Sequence, residues 1–316
     1  MRIAHIDPAC GLTIPPKGWG AIEKIIWEFK CNLEKQEHVA DVKYATWVEP
    51  HQYDIIHCHV ANLALMLAER NIPYIFQLHD HHVVHYGKDS HVYKENLAAI
   101  EKSLVSLVPA KFLVDWFDNH PKVRYFAHGV NNEEFYPIEK EKPTNPKLLM
   151  VANNGLGGQA GFDRKGFSYG IGLAALNNLE ITVAGPYNNR HFFNEHLWTL
   201  TYPKLNIIYD LPNTELLNLY HQHDIFIHPT MLEAGHPNLT MIEAAAAGLP
   251  LIANWEHETD FHGAWRAPRD VFEMDRGLRD IMDNWDLYRS KALNTAKELD
   301  WYNRTTELVE IYKEFL

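Results

Sequence analysis

The sequence has little cysteine and no long apolar run. Three cysteines, Cys10, Cys31 and Cys58, occur among 316 residues, and their spacing matches neither a disulfide framework nor a metal motif. Nowhere do 18 consecutive apolar residues occur, so a transmembrane segment is not predicted. Low cysteine usage is typical of a reducing compartment, and we therefore expect a cytoplasmic protein.

An excess of positive charge is also missing. The chain has 29 Lys and Arg residues and 41 Asp and Glu residues, which gives a formal net charge of −12. A global basic surface for nucleic acid is therefore excluded, although a local positive groove stays open. Nucleic acid is thus a partner that the net charge does not indicate.

Short apolar runs alternate with helical patterns along the whole chain. This alternation predicts parallel sheets with helices on both faces. The predicted strands are RIAHID, VKYATW, DIIHCHV, PYIFQLH, SLVSLVP, VRYFA, KLLMVAN, LEITVAG, NIIYD, DIFIH and LPLIAN. The predicted helices cover 22–34, 61–71, 92–103, 167–178, 214–223 and 240–247, with two more between 283 and 316.

A polar, proline-bearing segment, NNEEFYPIEKEKPTNPK, interrupts this pattern once. It predicts two doubly wound, Rossmann-like α/β domains that face a cleft. We place the domains at 1–138 and 148–300, the linker at 139–147 and a final helix at 301–316. Ligands of such sheets bind at the carboxyl ends of the strands.

The stretch HPTMLEAGHPNLTMIEAAAAGLPLIANWE holds two glutamates around a turn that precedes a helix. Thr240 at the N-cap with Glu243 three residues later matches a capping box. In that interpretation Glu243 only caps the helix. In the other, the positive helix end faces the cleft and binds a diphosphate, while Glu243 accepts hydrogen bonds from a ribose. These residues alone leave both interpretations open.

The same stretch resembles the donor-binding segment of retaining GT-B glycosyltransferases, the glycosyltransferase family 4-like enzymes or glycosyl transferases group 1. The resemblance implies the GT-B fold, with Glu243 on the ribose and Thr240, beside Leu239 and Asn238, on the donor phosphates. It also implies an acid near the donor sugar. Glu233 precedes Glu243 by ten residues instead of the family's eight, so either Glu233 serves across a two-residue insertion or a backbone group near position 235 does.

PPKGWGAIEKIIWEFK resembles the glycine-bearing opening of the same family, which has a Glu-Lys or Glu-Arg pair. Gly18 and Gly20 would let the backbone approach a phosphate or the acceptor before a helix that begins near residue 22. Trp19 would lie on the acceptor side.

QLHDHH resembles the family's His-Asp element, which implies that His79 contacts the donor sugar and that Asp80 and His81 lie on the acceptor side. A zinc site of His57, His59, His79 and His81 is the rival, because the first two share a strand face. No hydrolase signature accompanies these histidines, and HETDFH has one residue too many for an HExxH motif. We therefore expect no metal.

FDRKG resembles the family's diphosphate-binding loop, in which Lys165 matches the Lys-Gly element. Asn153 stands where the family has an arginine. Arg164 is the candidate substitute, because its planar guanidinium can donate two hydrogen bonds at once to phosphate oxygens. NGLGGQAG fits a dinucleotide fingerprint, but the next helix begins too late, and a loop over the donor is the favoured interpretation.

AHGVNNEEFYP and WYNRTTELVEIYKEFL resemble the end of the family's first domain and its last helix, which crosses back to that domain. The resemblance thus implies a retaining, metal-independent hexosyl- or pentosyltransferase without a cofactor, in which a nucleotide sugar, with uridine diphosphate the commonest, is the co-substrate. Its implied catalytic residues are Lys165, Arg164, Glu233 and His79.

The acceptor is open. A hydroxyl group of a glycan or small molecule is expected, and a hydroxylated nucleobase of phage-type DNA is the alternative. A sugar-nucleotide epimerase or hydrolase on the same fold, an NAD-dependent oxidoreductase and a non-catalytic sugar-binding module are rival functions.

Overall fold

The computed structural model describes residues 1–9, 11–18, 20–79, 82–155, 161–231, 237–254 and 261–316. Within these ranges the chain forms two parallel sheets of six strands each, flanked by helices. None of the helices described there is both long and apolar enough to cross a membrane.

The first half of the chain forms the first sheet. Its strands are β1 (Arg2–Ile6), β2 (Val39–Lys43), β3 (Ile55–Cys58), β4 (Ile75–Gln77), β5 (Ser106–Val108) and β6 (Val123–Tyr125). Its helices are α1 (Ala21–Lys35), α2 (Ala61–Glu69), α3 (His82–His85), α4 (His91–Lys102) and α5 (Lys111–Trp116), with a 3₁₀ turn at Pro50–Gln52.

The second half of the chain forms the second sheet and the helices around it. Its strands are β7 (Leu148–Val151), β8 (Ile181–Gly185), β9 (Leu205–Tyr209), β10 (Ile225–His228), β11 (Leu251–Ala253) and β12 (Ala264–Arg266). Its helices are α6 (Phe167–Asn177), α7 (Arg190–Glu195), α8 (Asn213–His221), α9 (Leu239–Ala246), α10 (Val271–Asp283), α11 (Trp285–Glu298) and α12 (Trp301–Lys313), with 3₁₀ turns at Tyr187–Asn189 and Leu197–Thr201.

Every predicted strand overlaps a strand of the structure, but two differences are informative. VKYATW is shifted, because β2 ends at Lys43 and the next residues form a turn. The three-residue strand β12 was not predicted, since AWR is too short to show a strand pattern.

Strand order places a crevice in each sheet. The first sheet runs β2-β1-β3-β4-β5-β6 and the second β12-β11-β10-β7-β8-β9. The direction of winding therefore reverses between β1 and β3 and between β7 and β10. In open parallel sheets, ligands bind outside the carboxyl ends of the strands at such a reversal.

Helix α12 packs with the first sheet, although it follows the second in the chain. Trp301 and Tyr312 are buried in one apolar cluster with Ile3 and Phe29. The Trp301 ring stands edge-on to Phe29, with 5.2 Å between ring centroids. The chain therefore crosses between the two halves twice, and the domain limits drawn at 138 and 147 stay predictions.

The turn before α6 depends on a glycine. Gly166 has a φ of 73°, in the left-handed region. A Cβ atom at this position would overlap the carbonyl oxygen of Pro229, which follows β10. Asp163 caps α6 by accepting a 2.7 Å hydrogen bond from the Phe167 N–H. Glycine is thus what lets the 162–166 loop pack against the end of β10.

We expect Gly166→Ala to lower the free energy of unfolding by about 2–4 kcal/mol, because left-handed strain adds to the overlap with Pro229. Gly87→Ala is the matched control: its φ is 78° and nothing lies within 4 Å of its Cβ position. That variant should lose about 1 kcal/mol from backbone strain. Urea unfolding measures both, and equal losses would show that the close approach to Pro229 carries no cost.

Candidate functional site

A cavity of about 350 Å³ lies between the facing edges of the two sheets. The first half contributes the loop after β1, the start of α1 and His79, which lies two residues after β4. The second half contributes the ends of β7 and β8 and the start of α9. This volume falls in the range of small-molecule sites. The cavity lies at both reversals of strand order.

The predicted site residues that the structure describes all line this one cavity. They are Gly20, His79, Asn153, Arg164, Lys165, Asn238, Leu239, Thr240 and Glu243. Trp19, Asp80, His81 and Glu233 lie outside the described residues. The geometry thus brings the described set together, while the role of each residue stays a prediction.

Helix α9 presents its amino-terminal end to the cavity. Its N-cap is Asn238, whose side-chain oxygen accepts a 3.2 Å hydrogen bond from the Met241 N–H. The prediction of Thr240 as the N-cap is therefore wrong. Asparagine caps at least as well as threonine, and the Thr240 hydroxyl donates to the Asn238 oxygen at 3.1 Å. Leu239 and Thr240, in the first turn, line the cavity.

Glu243 is 4% exposed and is bonded to two other elements. Oε1 accepts from Lys24 Nζ at 2.9 Å, and Oε2 accepts from the Tyr220 hydroxyl at 3.0 Å. Lys24 belongs to α1 of the first half, whereas Tyr220 belongs to α8. A largely buried ion pair thus joins the two halves of the chain at the rim of the cavity.

Lys24 was missed as a site residue, although it is the basic residue of the Glu-Lys pair noted in the sequence. Its ammonium also lies 3.9 Å from a Glu134 oxygen and 4.4 Å from the Phe135 ring centroid. Burial alone would lower the pKa of Lys24, but Glu243 and Glu134 outweigh it and raise the pKa above its ordinary value. Lys24 is therefore held in its charged form.

Glu28 completes this group of charges from the next turn of α1. It is buried, and one of its oxygens lies 3.4 Å from the Asn131 amide nitrogen. Burial raises the pKa of Glu28 to about 7, and although Lys24 opposes the shift, Glu134 and Glu243 add to it. One ammonium thus faces three carboxyl groups, which favours keeping Glu28 partly protonated near neutral pH.

The 162–166 loop is anchored to the end of β7 by side chain to backbone bonds. Arg164 donates from Nη2 to the Asn153 carbonyl at 2.9 Å and from Nε to the Asn154 carbonyl at 3.2 Å. The Lys165 N–H donates to the Asn154 side-chain oxygen at 3.0 Å. Arg164 therefore fixes the loop that carries Lys165, in addition to lining the cavity.

His79 lies in the cavity wall, where its ring contacts two other histidines. Its Nε2 is 3.0 Å from Nδ1 of the buried His59. On its other side the ring stacks on His128 at 5.8 Å between centroids. His128 also lines the cavity and was missed, and burial lowers its pKa to about 4, so it is neutral at neutral pH.

A second link between the halves also borders the cavity. The Asn213 N–H donates to the Lys17 carbonyl at 3.2 Å, and its side-chain amide donates to the Pro16 carbonyl at 3.1 Å. Asn213 begins α8 and lines the cavity. These bonds hold the loop that carries Gly18 and Gly20 against the second half.

No protein-family model matches the sequence, and neither does any curated protein sequence. Solved structures do match it over almost its whole length. Sucrose-phosphate synthase from Thermosynechococcus elongatus superposes with a TM-score of 0.78 at 14% identity, over 99% of this chain and 98% of that one. The chain has the GT-B fold.

Two further structures carry the same similarity. HepE from Anabaena, in complex with UDP-glucose, matches with a TM-score of 0.74 at 12% identity, over 99% of this chain and 100% of that one. WaaG, a glycosyltransferase involved in lipopolysaccharide biosynthesis, matches with a TM-score of 0.68 at 13% identity, over 98% and 99%. The predicted fold class and the resemblance to GT-B glycosyltransferases are thus confirmed.

We expect Lys24→Met to lower the free energy of unfolding by about 3–5 kcal/mol, since it leaves a buried carboxylate without its cation. The Lys24 side chain is 15% exposed and that of Glu243 5%. Lys35→Met is the control, because Lys35 and Glu133 form a 2.8 Å pair that is 46% and 80% exposed. Its loss should stay below about 1 kcal/mol. Urea unfolding of both variants checks the difference, and a loss from Lys24→Met no larger than the control's contradicts it.

Glu28 should make stability depend on pH. Its pKa is raised on folding, so its contribution is full below the ordinary value of 4.5 and is lost as the pH rises through about 7. Glu28→Gln should therefore become more stable relative to wild type by about 2 kcal/mol between pH 5 and pH 8. Urea unfolding at both pH values measures this, and a wild-type to variant difference that stays constant with pH argues against the raised pKa.

Proposed function

We propose that the protein is a glycosyltransferase that moves a sugar from a nucleoside diphosphate sugar to a hydroxyl group of an acceptor. The observation that supports this proposal most strongly is that Lys165, the amino-terminal end of α9 and the buried Glu243 line the same cavity. HepE, which shares the fold, was solved with UDP-glucose. A uridine diphosphate sugar is therefore the proposed donor.

The diphosphate would lie between α9 and the 162–166 loop. The first N–H groups of a helix have no intrahelical acceptor, and the helix dipole is positive at this end. Leu239 and Thr240 supply such groups, and Lys165 supplies a full positive charge beside them. Amides and a cation that are already in place would stabilise the negative charge that grows on the leaving diphosphate.

The ribose would bind to Glu243. A carboxylate offers about four lone-pair sites, and Lys24 and Tyr220 each use one, on different oxygens. Each oxygen therefore keeps a site for one hydroxyl of a vicinal diol. Because Lys24 and Tyr220 fix the carboxylate, a ribose would meet an acceptor that is already oriented.

The sugar and the acceptor would occupy the first-half side of the cavity. His79 is placed there, and we assign Glu233 to the donor sugar and Trp19, Asp80 and His81 to the acceptor side. We propose that the acceptor attacks the anomeric carbon on the face that the diphosphate leaves, and that a diphosphate oxygen takes the acceptor's proton. The anomeric configuration is then retained without a protein nucleophile.

We further propose that transfer needs neither a cofactor nor a metal ion in this cavity, because Lys165 and the start of α9 provide the positive charge. The sugar is a hexose or a pentose. A glycan or a small molecule is the proposed acceptor, and the alternative of a hydroxylated nucleobase would require a positive groove that the net charge does not indicate. A cytoplasmic location stays a prediction.

Substitutions at Glu243 and Lys165 should affect different steps, namely nucleotide binding and the rate of transfer. Glu243→Gln should weaken binding of uridine diphosphate about 10- to 100-fold, because it removes charge-assisted hydrogen bonds that donor and product share. Lys165→Ala should lower kcat about 100- to 1000-fold, because the leaving-group charge develops in the transition state. Calorimetry with uridine diphosphate and a diphosphate-release assay over a panel of sugar nucleotides and acceptors measure these effects.

Glu69→Gln and Lys142→Ala, at exposed positions that do not line the cavity, are the matched controls. Wild-type binding and turnover in both cavity variants would refute the proposed function. Full diphosphate release that does not depend on any acceptor would favour the hydrolase or epimerase.

A further inference from the structure

Three histidines lie together inside the first half of the molecule, behind the cavity. His5 comes from β1, His57 from β3, and His59 follows β3 directly. His5 and His57 are register partners on neighbouring strands, and His59 is two residues on, so the three side chains share one face of the sheet. His5 and His57 are 0% exposed and His59 is 2% exposed.

The three rings are in mutual contact. The centroids of His57 and His59 are 4.4 Å apart, and His5 lies 5.2 Å from His57 and 5.3 Å from His59. One nitrogen from each ring lies within 4.8 Å of the other two. Three imidazoles without a carboxylate among them are a donor set that suits zinc, copper or nickel better than magnesium or calcium.

The hydrogen bonds divide the nitrogens of His57 and His59 into two kinds. Nδ1 of His57 is 2.7 Å from the Tyr312 hydroxyl, and Nδ1 of His59 is 3.0 Å from Nε2 of His79. Nε2 of His57 is buried without a hydrogen-bond partner among the described residues. Nε2 of His59 faces Nδ1 of His5 at 3.0 Å. A buried polar atom without a partner is costly and calls for an explanation.

We propose that this cluster binds a divalent transition-metal ion, with zinc as the expected occupant, through His5 Nδ1, His57 Nε2 and His59 Nε2. Zinc–nitrogen bonds of about 2.0–2.1 Å place two ligands of a tetrahedral ion about 3.3 Å apart. The 3.0 Å between His5 Nδ1 and His59 Nε2 is close to that spacing. A water molecule would take the fourth position.

Two of the three histidines have the second hydrogen bond that a metal-binding histidine normally makes. Such a histidine donates its second N–H to a neighbour, which fixes the ring and the tautomer. The Tyr312 hydroxyl would accept from His57 Nδ1 and His79 Nε2 from His59 Nδ1, whereas Nε2 of His5 is buried without a hydrogen-bond partner among the described residues.

The ion would tie β1 to β3 and, through Tyr312, to α12. It would also set the tautomer of His79 in the cavity wall, because His59 could then donate only from Nδ1. The ion would lie in the core of the first half, so its binding does not depend on the proposed transfer reaction, which needs no metal in the cavity.

The test is metal content and cobalt spectroscopy of the full-length protein produced with zinc or cobalt in the medium. Wild type and His191→Gln, which changes an exposed histidine of α7, should each hold about one zinc ion per chain. His57→Gln should hold less than a tenth of that. Tyr312→Phe keeps the ring and removes only the hydroxyl, and it should weaken zinc binding about 10- to 100-fold.

The variant His57→Cys distinguishes a metal ligand from a histidine that only supports the fold. A thiolate on the metal would give its cobalt form a sulfur-to-cobalt charge-transfer band in the near ultraviolet, which wild type lacks. Wild type with no more zinc than His57→Gln would overturn the proposal, and so would a folded His57→Cys protein without that band. If His57→Gln fails to fold, unchanged zinc affinity in Tyr312→Phe would overturn it as well.

Discussion

The ion pair between Lys24 and Glu243 is the interaction on which the site depends. Two charges taken out of water are tolerable only when they are paired and hydrogen-bonded. Lys24 is contributed by the first half and Glu243 by the second, so this pair forms only when both halves are in place. Tyr220 and Glu134 extend the pair into a network. The same contact therefore stabilises the arrangement of the two sheets and orients the carboxylate in the cavity.

The cavity combines positive charge with a hydrogen-bond acceptor. Lys165 and the first turn of α9 line it together with the carboxylate of Glu243, which lies one turn further along the same helix. The start of α9 and the 162–166 loop rest on backbone features, namely the cap at Asn238 and the glycine turn at Gly166. A ligand that carries both phosphates and hydroxyl groups fits this set of side chains. This complementarity underlies the proposed use of a nucleotide sugar.

Every described strand except β12 and eight of the twelve described helices were predicted from the sequence, whereas α3, α5, α7, α10 and the contacts between distant elements were not. The strand runs, the start of α1 within one residue and the set of loop residues around the cavity follow from apolar periodicity and from the family resemblance. The partner of Glu243 is 219 residues away, so no local pattern reveals it. His5 likewise joins His57 and His59 only through sheet register. The cap was misplaced because Asn238 and Thr240 are both good capping residues two positions apart.

The position of α12 has a consequence for how the chain is made. Trp301 and Tyr312 fill the core of the first half, but the ribosome adds them after the whole second half. At roughly 5–20 residues per second, translation from the end of β6 to α12 takes about 10–35 seconds. Throughout that interval the nascent first sheet exposes the apolar face that α12 later covers. Newly made chains therefore pass through a stage in which aggregation competes with folding. Binding by a chaperone would protect the exposed apolar face during this stage.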